Sequence, residues 1–124
     1  MSPSSTQPGG VAHGPEGGEH LLREERHHRV LAELPQVEVV ELRFGPDFEG
    51  VEPHEHSDHA DVFYVLAGEA EFLVGDELFH ARPGSFVAAP RGLTHGFRNV
   101  GGTELRLLNV HAPNVGFAQR LRDA

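Results

Sequence analysis

Residues 62–78 read VFYVLAGEAEFLVGDEL, and their pattern decides the fold. One apolar run ends at Gly68 and a second ends at Gly75-Asp76. Gly-Asp between apolar runs marks a hairpin, because glycine supplies the positive φ that a tight turn demands. The reading is strand, turn, strand, turn. In the first run both alternating sets are apolar: Phe63, Val65 and Ala67 on one face, Val62, Tyr64 and Leu66 on the other. A strand with one wet face alternates apolar with polar. Both faces are therefore expected to be covered, one by a barrel core and the other by a partner or the N-terminal segment.

Working outward, VEVVELRF (37–44) is rich in β-branched residues and stops at the turn signal GPD. ARPGSFVAAP (81–90) opens on Pro83-Gly84, which suits the central positions of a type II turn, and continues as a strand. HGFRNV and ELRLLNVHA flank a Gly101-Gly102 turn. The C-terminal NVGFAQRLRDA suits one or two helical turns, with Asn114 as candidate N-cap. EHLLREERHHRVLAEL (19–34) is ambiguous: its start reads as a short helix, or a strand begins near Val30. Residues 1–18 are rich in Gly, Pro and Ser and are expected to be a disordered tail before one domain, 19–124. Six to eight short strands at this spacing imply an all-β antiparallel sandwich or barrel.

Composition excludes several functions. The 124 residues carry a formal charge of −9, and no basic face suggests a nucleic-acid partner. Cysteine is absent, and all ten basic residues are arginine. Thiolate catalysis, thiolate metal sites and lysine Schiff bases are therefore ruled out. No run is apolar enough to span a bilayer, and the N-terminal residues lack an apolar leader, so the expected compartment is the cytoplasm.

HEHSDHAD (54–61) puts three histidines and three acidic residues into eight positions. On a strand, His54 and His56 leave the same face with Cα atoms about 6.6 Å apart, near enough to meet one ion. Asp61 begins the apolar strand on the same face as Phe63 and Val65. His95 starts a later strand, with Phe97 as its same-face neighbour. Three imidazoles and a carboxylate form a site suited to Fe, Mn, Ni or Zn. His59 shares the parity of Asp61 and is the alternative fourth ligand. His27 and His28 are expected on the surface. His80, in an expected turn, and His111, near the last strand's end, are expected to be solvated, with His111 within reach of a pocket rim.

The chain resembles the cupin superfamily at these residues. The family's first motif, G-x5-H-x-H-x(3,4)-E-x6-G, is met by His54, His56 and Gly68, with Asp61 in place of glutamate and the leading glycine displaced to Gly50. The second, G-x5-P-x-G-x2-H-x3-N, is met at every fixed position by Gly84, Pro90, Gly92, His95 and Asn99. The resemblance implies a double-stranded β-helix, or jelly-roll barrel, of the single-domain kind. It also implies one divalent metal ion held by residues of both motifs, and a homodimer, with Tyr64 on the covered outer face. It does not imply a reaction.

Two readings of function stay open at this point. One is a metal-dependent enzyme on a small, largely apolar organic substrate, dioxygenase-like or isomerase/cyclase-like. The other is a non-catalytic module that binds a small ligand. Expected pocket walls are Phe63, Val65 and Phe97, with Phe72 and Phe86 as further candidates. Arg91 and Arg98 are the expected nearby cations.

Overall fold

The computed structural model describes residues 9–124. Ten strands and a helix follow in order: β1 (Glu19–Arg23), β2 (Arg26–Leu34), β3 (Val37–Phe44), β4 (Gly50–His54), β5 (Ala60–Ala67), β6 (Ala70–Val74), β7 (Glu77–Ala81), β8 (Phe86–Ala89), β9 (His95–Asn99), β10 (Leu105–Ala112) and α1 (Phe117–Asp123). A six-stranded sheet runs β1-β2-β3-β10-β5-β8 and a four-stranded sheet β4-β9-β6-β7. Every paired neighbour is antiparallel. The chain is an all-β double-stranded β-helix, as expected from the turn spacing.

Alternation sorts the side chains. β3 turns Val40, Leu42 and Phe44 inward, β5 Phe63 and Val65, β9 Phe97, and β10 Leu105 and Leu107; with Phe72 they form one buried core. The same inward parity ends on polar residues: Glu38 on β3, Asp61 on β5, His95 on β9, Asn109 and His111 on β10, all buried. Registry aligns them, because His111 lies opposite both Glu38 and Asp61. One end of the barrel is thus apolar packing and the other a polar floor.

Several expectations change. The start of residues 19–34 is a strand, and β1 pairs with β2 as a hairpin. Its helix formers lose because a helix of so few residues is marginal alone, whereas sheet pairing satisfies the backbone. His80 is a strand residue of β7, exposed and bonded to Glu69 at 2.7 Å. Asn114 does not cap α1: its Oδ1 accepts from Gly116 N at 2.8 Å, and Gly116 is the N-cap. The amides of Phe117 and Ala118 donate instead to buried Glu38, at 3.3 and 2.8 Å. Residues 1–8 of the expected tail lie outside the described residues. Residues 9–18 form no strand, though Arg29 donates to the carbonyls of Gly14 and Gly17 at 2.8 and 2.7 Å.

Gly50 has a local reason for its displaced position. Its φ is 149°, and a Cβ there would meet the Phe97 carbonyl oxygen at 2.2 Å. Only glycine lets β4 approach β9 this closely. The outer face of β5 carries Tyr64 and Leu66 beside Phe86 of edge strand β8, and all three are exposed.

Candidate metal centre

β4 ends on His54, after a register shift that sets it opposite His95 on β9. His56 lies two residues past the strand end, so the HEH segment is a strand terminus and not a continuous strand. One donor atom each from His54, His56, Asp61 and His95 lie within 4.8 Å of one another. The Nδ1–H of His54 donates to the Glu52 carbonyl at 2.7 Å, and that of His95 to the Leu93 carbonyl at 2.9 Å. In a neutral imidazole this leaves the Nε2 lone pair for the cluster, the tautomer a metal ligand needs. His95 Nε2 is 2.9 Å from Asp61 Oδ2, and His56 Nε2 is 3.4 Å from the same oxygen. Three imidazoles, two of them with anchored rings, and one carboxylate suit a divalent ion of the Fe, Mn, Ni or Zn kind.

Asp61 also belongs to a second group, with His59 and His111, again within 4.8 Å. His59 Nδ1 donates to Asp58 at 2.8 Å and His111 Nδ1 to Glu38 at 3.2 Å. His59 Nε2 is thereby left for the cavity, whereas His111 Nε2 faces Asp61 Oδ1 at 3.4 Å. Asn109 Nδ2 donates to the same oxygen at 2.7 Å. The two candidate fourth ligands therefore do not exclude each other: Asp61 stands between both groups, with His59 on its far side.

The electrostatics follow from burial and contact. Burial alone would raise the Asp61 carboxyl, but hydrogen bonds from His111, His95 and Asn109 outweigh it and hold Asp61 well below the usual carboxylate range. Burial would lower His95 and His111, yet the Asp61 carboxylate raises both overall. His56 is lowered, by burial first and by neighbouring His59 next.

The cluster opens into a cavity of about 220 Å³ lined by Leu42, Phe44, Phe48, Val51, Phe63, Phe97 and Phe117. Of the expected walls, Phe63 and Phe97 line it. Val65 and Phe72 are sealed in the core below, and Phe86 is 60% exposed on the outer face. The expected cations are also elsewhere. Arg91 does not line the cavity, and Arg98 pairs with Glu71 at 2.7 Å beside a separate depression. That depression is larger, about 330 Å³, but holds none of the clustered histidines. The guanidiniums that do line the cavity belong to Arg26 and Arg120.

His111 and His28 overturn the sequence expectation most. Both were expected to be solvated, and both are buried, at 5% and 3% exposure, and line the cavity. The signal was present. Counting by two from Leu105 through Leu107 and Asn109 reaches His111, and counting back by two from Val30 reaches His28.

A family model described as Cupin domain matches residues 40–111, more than half of the chain. The chain is 27% identical over 84 residues to quercetin 2,3-dioxygenase of Bacillus subtilis, matching 65% of this chain but only 25% of that protein. It thus spans about a quarter of that relative's length. Among solved structures, KdgF from Halomonas superposes with a TM-score of 0.74 at 20% identity, covering 86% of this chain and 94% of that one. An RmlC-like cupin from Shewanella frigidimarina superposes with a TM-score of 0.71 at 21% identity, covering 88% and 95%.

Proposed function

The chain belongs to the cupin domain family, and from that premise we propose that it is a metal-dependent enzyme acting on a small, largely apolar organic molecule. The observation that carries this reading is the pair His59 and His111. Both lie outside the paired-motif ligand set, both border the cavity, and each has its Nδ1 fixed by a carboxylate. A pure binding module has no need of two further oriented imidazoles.

His54, His56, Asp61 and His95 would hold one divalent ion, which when bound supplies Lewis acidity toward an oxygen of the substrate. His59 Nε2 takes a proton on the cavity side, and His111, whose Nε2–H faces Asp61, is placed to return one. Glu38 and Asp58 each hold an Nδ1–H, so that Nε2 is the nitrogen left to exchange the proton. Leu42, Phe44 and Phe117 line the cavity with apolar surface and keep bulk water from competing for that proton. This arrangement favours proton transfer next to a carbonyl: isomerisation, cyclisation or elimination.

Oxygenation is the second reading, supported by the likeness to quercetin 2,3-dioxygenase. One experiment separates the two. Metal-loaded protein is incubated with enolisable ketones and with enols or catechols, in deuterium oxide, under an oxygen electrode. Deuterium entry next to the carbonyl without oxygen uptake supports proton transfer. Oxygen uptake supports the second reading, and neither signal with tight ligand binding supports a non-catalytic module.

Two further proposals concern the setting. Tyr64, Leu66 and Phe86 form an exposed apolar face at a sheet edge, which supports a homodimer through that face. No helix among the described residues is long and apolar enough to cross a membrane, and a cytoplasmic location remains our reading.

A further inference from the structure

We propose that the cavity takes an organic anion, a single-ring or similarly sized molecule bearing a carboxylate or enolate, whose charged end meets Arg26 and Arg120 and whose body lies against the phenylalanines. The inference rests on the cavity assigned above but not on which ion fills the metal site.

The charge pattern is the first support. The chain carries 19 acidic and 10 basic residues. Even so, the cavity lining includes two arginines, both exposed and so at its rim, and only one carboxylate residue, Asp61. That carboxylate is already committed to His95, His111 and Asn109. Most other arginines near a carboxylate are paired, as Arg29 and Arg106 are with Glu41 and Arg122 with Glu33. Among the described residues, Arg26 and Arg120 have no carboxylate partner, as is true of Arg23, Arg82 and Arg91, but of these five only Arg26 and Arg120 line the cavity. The Arg26 guanidinium lies 5.1 Å from the centre of the Phe48 ring, and Arg120 Nη1 donates to the Val115 carbonyl at 2.8 Å, leaving further N–H groups on each. A divalent ion on the histidines would add to this positive balance. An anion is the ligand whose burial such a cavity compensates.

The second support is independent of charge. It is the size of the cavity. The volume, about 220 Å³, sits below the usual range of small-molecule sites and fits one ring with a short substituent. Phe44 and Phe48, stacked on each other 4.3 Å apart within 10° of parallel, give that cavity an aromatic side.

The test uses the full chain, with metal content measured on every sample, and benzoate against its neutral isostere benzamide in calorimetry. Benzoate should bind at least tenfold more tightly than benzamide. Arg26→Ala and Arg120→Ala should each weaken benzoate about tenfold and leave benzamide unchanged, while Arg26→Lys keeps most of the benzoate affinity. Arg91→Ala, remote from the cavity, should change neither. Circular dichroism checks that each variant folds. Equal binding of the two probes, no benzoate binding at millimolar concentration, or full affinity in both arginine-to-alanine variants overturns the proposal. Wild-type protein that holds no metal but still selects benzoate would sink the metal reading alone.

Discussion

Glu38 and His111 face each other across β3 and β10, 73 residues apart in sequence, with His111 Nδ1 3.2 Å from Glu38 Oε1. Glu38 is fully buried and also accepts the first amides of α1. One carboxylate therefore orients a cavity imidazole and caps the C-terminal helix, which has no side-chain cap of its own. Glu38→Ala strands a buried imidazole and two helix amides, and should cost on the order of 3–5 kcal/mol. Glu38→Gln keeps one acceptor and should cost roughly 1–2 kcal/mol. Urea unfolding measures both; a Glu38→Ala loss under about 1 kcal/mol would refute this dual role.

Metal content tests the ligand set. Replacing His54, His56 or His95 by alanine should each abolish stoichiometric binding of one ion per chain, read by elemental analysis. His27→Ala and His80→Ala, both on the exterior, should not. Asp61→Ala should lose the ion as well. Asp61→Glu should retain it but lower stability by about 1–3 kcal/mol, because one more methylene must fit a buried carboxylate already tied to Asn109. Unchanged metal in all three histidine variants would return the cluster to a structural role.

His111 and His59 should behave differently from the ligands. His111→Ala and His59→Ala should keep the ion with affinity lowered no more than about 10–100-fold. Both should slow deuterium entry into an enolisable ketone while the metal site is saturated. If either variant loses the ion as completely as His95→Ala, that residue is a ligand and its proton-handling role fails.

His28 predicts a pH effect. Burial, then the nearby Arg26, lowers its pKa from 6.5 to about 4. Between those values the unfolded chain binds a proton that the folded chain refuses. Stability should therefore fall as pH drops from about 6.5 toward 4, with the loss complete below 4 and amounting to roughly 3 kcal/mol. His28→Leu removes this group's contribution. Urea midpoints at pH 7 and pH 4.5 should converge in His28→Leu relative to wild type; an identical pH difference in both proteins would show that His28 does not refuse the proton.

The outer face of β5 gives a further expectation. Tyr64→Asp or Phe86→Asp should turn a dimer into a monomer in light scattering, with the fold intact, since neither side chain enters the core. A wild-type monomer at high micromolar concentration would rule the interface out.

The turn glycines and the period of two made the fold legible. Gly68, Gly75 and Gly84 all adopt positive φ where a turn was read from the sequence. The four clustered donors were legible too, from residue type and motif spacing, although strand parity does not account for His56, which lies past the end of β4. What stayed hidden depended on tertiary pairing. Counting back from Val30 puts His28 on the same face, but which face of RHHRV turns inward is decided only when β2 pairs with β3. Arg26 and Arg120 are brought to the cavity by the start of β2 and the middle of α1, 94 positions apart, and no local pattern records that meeting. Phe86 misled for the opposite reason: β8 is an edge strand, and its apolar residues are divided between core and exterior.

The order of the six-stranded sheet has a kinetic consequence. β10, the last strand, lies between β3 and β5. Until residues 105–112 have emerged from the ribosome, two long strands stand side by side in the final plan with no neighbour between them. Both would present open edges, which are templates for wrong pairing. Asn109 and His111 arrive with the same strand, so Asp61 has neither of these hydrogen-bonding neighbours until that insertion is complete. Contacts of such long sequence separation make assembly slow. The chain should therefore acquire its barrel and its polar floor in one late, concerted event, and a nascent chain stalled before Leu105 should be a substrate for chaperones or proteases, with no competent intermediate.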